Sequence, residues 1–339
     1  MLQQQSFMST NSLDNKINSI IMINGSPRRE RSNTQYIADY FLEGAREAGA
    51  RTEVEYLYGK KMQYCQGEFH CFEKTPGKCM YDKKDEVQAL WEKAVTFDLI
   101  LIGSGVYASF LSGKTKTFLE RVLPLLDPHL EKDGNPDYVD PSPPEGLFNQ
   151  ILGYLSPYVL PSIDPHFDPG AVGEYHHRAR VDEKGNRFKF PPIGFICNAG
   201  LPEQSQFEVI KEYARDLPKN LRNECVVEIY RGQGELFTFK SLLFYPIFQK
   251  YQNVLRQAGR EVVRQGRISK PTQAELEKPL IHHDWYMSLA NAHFDRELGD
   301  FSSPLNRMIL AHNEIQEFAE TQFERLKGLK ERHLPANKK

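Results

Sequence analysis

Short apolar runs recur along the first two thirds of the chain, and amphipathic stretches separate them. Residues 19–24 form an apolar run of the kind that makes a buried strand. Residues 33–49 place Ile37, Phe41, Ala45 and Ala48 at helical spacing and stop at Gly49. Residues 52–58 alternate like a second strand, and 85–95 read as a helix. Residues 99–103, Leu-Ile-Leu-Ile-Gly, are apolar in the way of strands buried on both faces of a parallel sheet. A helix over 114–123, a strand over 193–197, a helix marked by Phe207, Ile210, Ala214 and Leu217, and a strand over 225–230 continue the series. Strands alternating with helices predict right-handed crossovers and an α/β fold with a doubly wound, five-stranded parallel sheet.

Two segments exceed this plan. Ten of the chain's 21 prolines fall between 124 and 169, with Tyr138, Phe148, Tyr154, Tyr158, Phe167 and Tyr175 in and beyond that stretch. This is a long insertion, over 125–190, between the third helix and the fourth strand. Its aromatic content favours an ordered lid or arm over a solvated linker. After Gly234 the pattern is helical: 242–263, a short helix over 271–279 opened by Pro271, and an apolar stripe over 305–326. That stripe packs on its own domain or joins subunits. The expected organisation is a flexible N-terminus (1–18), a principal domain (19–235) and a helical C-terminal extension (236–339).

Composition narrows the class. In 339 residues the net charge is −2, with 26% charged and 40% hydrophobic residues. No basic surface is advertised, so nucleic acid is not an expected partner. Residues 1–18 lack the apolar core of a signal peptide, and no run of 18 apolar residues is present. Five cysteines in a chain this long do not make a disulfide scaffold. These features point to the cytoplasm and to reduced thiols.

The chemistry gathers at strand ends. After the first strand comes Asn24-Gly-Ser-Pro-Arg-Arg-Glu-Arg-Ser-Asn-Thr34, a polar loop opening directly into a helix. The free N–H groups and the dipole at a helix start favour an anion. Ser26, Arg28, Ser32, Asn33 and Thr34 can each donate to a phosphate. Neither G-x-x-x-x-G-K-[ST] nor G-x-G-x-x-G is present, which excludes a P-loop and a dinucleotide fingerprint. Hydroxyls and backbone amides suit a terminal phosphate monoester such as that of flavin mononucleotide (FMN). An ordinary strand-to-helix turn with a Ser/Asn cap gives the same local pattern. The third strand runs into Ser104-Gly-Val-Tyr-Ala-Ser-Phe-Leu-Ser-Gly113, and the fourth into Asn198-Ala-Gly-Leu-Pro-Glu203. A planar ring needs an aromatic or apolar wall and backbone donors along its polar edge, and these loops offer both.

These three stretches, N-G-S-P-R…S-N-T, S-G-V-Y-A-S-F-L-S-G-K-T-K-T-F-L-E-R and C-N-A-G-L-P-E, resemble the FMN loops of flavodoxin-like NAD(P)H-dependent FMN oxidoreductases. That family includes FMN reductases, quinone reductases and iron–sulfur flavoproteins. Gly105 stands where proline is usual there, and Glu120 where aspartate is usual. The resemblance covers residues 19–235 and, more weakly, the segment around 257–281. It implies that Ser26, Arg28, Ser32, Asn33 and Thr34 hold the phosphate. It implies that Val106, Tyr107, Ala108, Ser109 and Phe110 line the flavin on one side, and Asn198, Ala199 and Gly200 on the other. Tyr107 as a core aromatic and Gly200 as a turn residue are the alternatives. The implied activity is hydride transfer from NAD(P)H, as co-substrate, through FMN to a small acceptor such as a quinone or nitroaromatic, with no side-chain acid or base required. A homodimer is implied with it. The alternative is a non-enzymatic flavodoxin-type electron carrier or a redox-responsive FMN-binding protein, against which the small net charge and the long insertion argue.

Cys65, Cys71 and Cys79 lie in Y-C-Q-G-E-F-H-C-F-E-K-T-P-G-K-C, where similar proteins read C-x-G-C-x-x-C…T-P-G-K-C. Glu68 occupies one cysteine position of that pattern, which leaves a poor iron–sulfur site, and His70 gives irregular spacing for zinc. Free thiols and no metal are the expectation. The pairs His176-His177 and His282-His283 lack a third ligand at readable spacing and are expected at the surface.

Overall fold

The computed structural model describes residues 16–132, 175–180, 188–238 and 244–308. These fall in two compact units, divided between Lys278 and Pro279. The boundary expected at 235/236 therefore lies inside the first unit.

The first unit is built on five parallel strands: β1 (Ser19–Asn24), β2 (Arg51–Tyr56), β3 (Leu99–Tyr107), β7 (Ile193–Asn198) and β8 (Cys225–Arg231). Their order is β2-β1-β3-β7-β8, the flavodoxin-like order. From β1 the chain steps outward to β2, then back past β1 to β3, so the topological switch point lies between β1 and β3. Alternate residues of each strand face opposite sides. Ile21, Ile23, Ile100, Ile102, Phe195 and Cys197 share one buried cluster with side chains of α2 (Val87–Ala94), α3 (Gly113–Glu120) and α4 (Glu208–Asn220). Helix α1 (Asn33–Glu47) lies on the opposite side, where the Thr34 methyl and Met22 close over Gly103.

Helix α5 (Tyr245–Gln265) packs along α1 in the same unit. Two glycines set how closely. A Cβ at Gly44 would sit 1.9 Å from the Arg256 carbonyl oxygen, and one at Gly259 would sit 2.0 Å from that of Phe41. The backbones touch, so neither position accepts a side chain. Arg256–Glu43 (3.0 Å) and Arg260–Glu47 (2.6 Å) ion pairs flank the seam. Helix α6 (Lys270–Glu277) follows and is tied to β8 by the buried Arg231, which donates to the carbonyls of Leu276 and Lys278 and lies over the Tyr251 ring.

Within the first unit the structure departs from the sequence expectations in three further places. Strand β3 continues through the expected loop to Tyr107 and turns into β4 (Phe110–Leu111), making an antiparallel hairpin. The described ends of the insertion include two strands where none was expected: β5 (Leu126–Lys132) and β6 (Tyr175–Ala179) pair antiparallel, with a register shift between Leu126 and Leu130. Helix α3 stops at Glu120 and a 3-10 turn at Leu123–Leu125 replaces its expected last turn. The rest of the insertion, and most of the 305–326 stripe, lie outside the described residues.

The second unit contains α7 (His283–Glu297). His282 caps it by accepting from the Asp284 N–H at 3.3 Å, and Trp285 and Phe294 are exposed on it. Among the described residues no helix is long and apolar enough to cross a membrane.

Candidate functional site

Three loops meet at the carboxyl ends of β1, β3 and β7, which is where open α/β sheets bind ligands. The first loop is fixed from within. Asn24, fully buried, accepts from the Ser26 N–H (2.8 Å) and donates to Gln35 Oε1 (2.9 Å); Gln35 in turn donates to Asp39 (2.6 Å). This relay ties the loop to α1 and was not read from the sequence, where Asn24 looked like a strand end. A 3-10 turn at Arg29–Arg31 brings the chain to Ser32, whose Oγ accepts from the Gln35 N–H (3.0 Å) and donates to the Arg29 carbonyl (2.7 Å). Ser32 is thus the N-cap of α1, and its hydroxyl proton is engaged.

Ser26, Ser32, Asn33 and Thr34 are all buried. Thr34 Oγ1 donates to Asn198 Oδ1 at 2.5 Å, a bond across 164 residues that joins the first loop to the third. The backbone N–H groups of Asn33 and Thr34, in the first turn of α1, have no intrahelical acceptor. Asn33 Nδ2 is buried without a hydrogen-bond partner. A buried amide donor at a helix start, beside those N–H groups, is an incomplete arrangement that an anion completes. On this observation the residues present fit a phosphate monoester.

The second loop is the β3–β4 hairpin. Ala108 and Ser109 form its two-residue turn, both with positive φ (47° and 63°). Neither is glycine, so the turn holds local strain. Tyr107 is exposed at the hairpin, while the Phe110 ring packs edge-on against Tyr213 of α4 at 5.5 Å. Val106 is half-buried beside them. Beneath, Ser104 Oγ accepts from the Ser112 N–H (2.9 Å), and Ser112 Oγ donates to the Gly25 carbonyl (2.6 Å), so the second loop is also bonded to the first. In the third loop Asn198 and Ala199 are buried and Gly200 is exposed. All three groups of residues expected at the site are therefore brought to one end of the sheet.

A fourth segment joins them, and sequence reading missed it. After β8 the chain makes a 3-10 turn at Gly234–Thr238. A Cβ at Gly234 would lie 2.8 Å from Asn198 Nδ2, so the turn presses directly on the third loop. From it Glu235 reaches Arg28 at 3.2 Å, and Phe237 stacks on Tyr36 of α1 at 4.5 Å between centroids.

The cysteine segment lies at the C-terminal end of α3. Cys65, Cys71, Cys79, Glu68 and Arg121 border a small cavity. All five cysteines are free. Burial, with Cys79 and Glu68 nearby, pushes the Cys71 thiol up to about 11. Arg121 forms a buried pair with Asp85 at 2.8 Å and donates to the Gln63 carbonyl at 2.8 Å; Arg180 donates to the carbonyls of Cys71 and Pro124. Among the described residues no group of three or more His, Cys, Asp or Glu side chains is placed to hold a metal ion. His177 bonds the Asp127 carbonyl at 3.0 Å.

Parts of the chain are similar to known proteins. The chain is 30% identical over 104 residues to an iron-sulfur flavoprotein of Methanocaldococcus jannaschii, covering 31% of this chain and 50% of that protein. It is 33% identical over 101 residues to an iron-sulfur flavoprotein of Archaeoglobus fulgidus, covering 30% and 43%. The chain thus spans about half the length of the curated relatives it matches. Among solved structures, an NAD(P)H:quinone oxidoreductase from Methanothermobacter marburgensis aligns with a TM-score of 0.44 and 15% identity, over 73% of this chain and 97% of that one. Residues 18–133, which hold the first and second loops, match the family model of NADPH-dependent FMN reductase, and they do so on a flavodoxin-like sheet.

Proposed function

We propose that the chain is an FMN-dependent NAD(P)H oxidoreductase that passes electrons to a small acceptor such as a quinone or nitroaromatic. The observation that carries this reading is the unpartnered, buried Asn33 amide at the start of α1, set among loops bonded to one another at the switch point. The first-turn N–H groups, Ser26, Arg28 and Asn33 hold the phosphate. Ser32 and Thr34, whose hydroxyl protons are engaged, fix the shape of that cradle. Val106, Tyr107, Ala108, Ser109 and Phe110 border the ring from the second loop, and Asn198, Ala199 and Gly200 from the third. Bound there, FMN supplies hydride acceptance and donation, while the protein positions the ring and tunes its charge. Backbone amides of the hairpin turn and third loop are the donors available to negative charge on the ring. We take the enzyme to act in the cytoplasm, as its composition suggests, and as a homodimer, as the resemblance implies; a monomer in sedimentation equilibrium contradicts the latter.

The test is anaerobic mixing of the FMN-loaded protein with NADPH and, separately, NADH. Bleaching of the yellow flavin band within seconds, reversed by a quinone, is the expected result. A band that neither nucleotide bleaches makes the protein a carrier and overturns the enzyme reading.

A further inference from the structure

Arg28 is one of the cationic side chains at the mouth of the cradle, and it already has an anion. Its guanidinium reaches both Glu235 oxygens, at 3.2 and 3.5 Å, from a residue 207 positions away. Glu235 is delivered there by rigid backbone. The preceding Gly234 N–H donates to the Ala199 carbonyl at 2.9 Å, and the turn is closed by Thr238 Oγ1 donating to the Glu235 carbonyl at 2.6 Å. The Glu235 Cγ stands 4.0 Å from where a Cβ at Gly200 would sit. Its carboxylate therefore lies between the first loop and the third, bordering the space read above as the flavin site.

We propose that Glu235 is a built-in counter-anion of the phosphate cradle: it holds Arg28 until a phosphate monoester displaces it, and so sets how strongly the site discriminates ligands by their charge. This rests on the reading of the first loop as a phosphate site. The reasoning is electrostatic. A carboxylate and a phosphate are both acceptors for the flat guanidinium fork, so they compete for it. A phosphate monoester carries close to two charges at neutral pH against one on the carboxylate, and it gains the α1 N–H groups and Asn33 as well. It wins the competition, but its affinity is reduced by the cost of breaking the resident pair. Both partners are about half exposed, at 45% and 46%, so the exchange needs only side-chain rotation. A ligand without phosphate leaves the pair intact and is indifferent to it.

The experiment measures FMN and riboflavin dissociation constants of apoprotein by quenching of flavin fluorescence, for the wild type, Glu235→Gln, Arg28→Gln and the double variant. Glu235→Gln is expected to tighten FMN about fivefold, the equivalent of one exposed ion pair, and to leave riboflavin unchanged. In the Arg28→Gln background no resident pair is left to break, so any gain that remains from Glu235→Gln is the direct repulsion between carboxylate and phosphate, and the difference between the two backgrounds is the cost of the pair. High salt narrows the difference between wild type and Glu235→Gln. Unchanged or weaker FMN binding in Glu235→Gln overturns the counter-anion role while leaving the phosphate site standing. Equal binding of FMN and riboflavin by every variant removes the phosphate site itself, and the proposal with it. Both side chains are about half exposed, and circular dichroism melts confirm that each variant is folded.

Discussion

Asn33 is the side chain that best distinguishes a binding cradle from a plain helix cap. Asn33→Asp keeps its size but replaces an unpartnered donor with a negative acceptor. We expect FMN affinity to fall at least about tenfold, with little change in melting temperature, since a carboxylate is welcome at a helix start when no anion is bound. Ser32→Ala separates the two roles differently. It removes the N-cap and costs about 1 kcal/mol of stability, read from urea denaturation, whatever its effect on FMN. The cysteines give a third residue-scale expectation. With burial holding Cys71 up at about 11, its alkylation by iodoacetamide should be slow at neutral pH and accelerate with each pH step toward that value; rapid reaction at neutral pH contradicts its buried placement. The strand-to-helix turn itself was legible, because an apolar run ending in a Ser/Asn/Thr cluster before helical spacing marks both the strand end and the cap. What was not legible was which donors are engaged. Thr34 bonds Asn198 and Arg28 bonds Glu235, partners 164 and 207 positions away, and spacing carries no trace of such pairings.

The elements behave as their sequences suggest where packing is local, and differently where a distant surface decides. The Asn33–Gly49 periodicity gives α1 almost to the residue, because its apolar face meets the sheet. Ser104–Gly113 reads as a loop because glycine and serine disfavour strands. The sheet nonetheless carries β3 on to Tyr107, and a two-residue turn folds it back. That turn places Ala108 and Ser109 in the left-handed region, so Ser109→Gly should stabilise the protein by about 1 kcal/mol in thermal or urea unfolding. The α1–α5 seam predicts the reverse. Gly259→Val forces a branched side chain against the Phe41 carbonyl and should cost about 3 kcal/mol or more, while leaving the fold class unchanged. Neither Gly44 nor Gly259 stands out in the sequence, because the backbone that each must admit belongs to a distant helix.

At the scale of the molecule, the parallel sheet follows from the alternation of strands and helices, and the switch point between β1 and β3 decides where chemistry gathers. The unit boundary was less legible. Helices α5 and α6 belong with the sheet because α5 covers α1 and α6 is pinned to β8 by Arg231, contacts between segments far apart in the chain. The cysteine segment is held to that core by the buried Asp85–Arg121 pair. Burial alone raises the Asp85 carboxyl, but hydrogen bonds from Arg121 and from the Gln63 and Val87 N–H groups outweigh it, and the net shift is downward. Its stabilising contribution is therefore full above the ordinary carboxylate range, about pH 4, and is lost as pH falls below it. Asp85→Asn should cost about 3–5 kcal/mol near neutrality and flatten the acid limb of the stability curve. The most direct measurement is a crystal structure of the protein saturated with FMN. We expect the phosphate at the first turn of α1, within hydrogen-bonding reach of Asn33 Nδ2, with the ring between the Tyr107 hairpin and Gly200. Flavin bound elsewhere, or that turn filled by the protein's own side chains at saturating FMN, contradicts the redox function proposed for this chain.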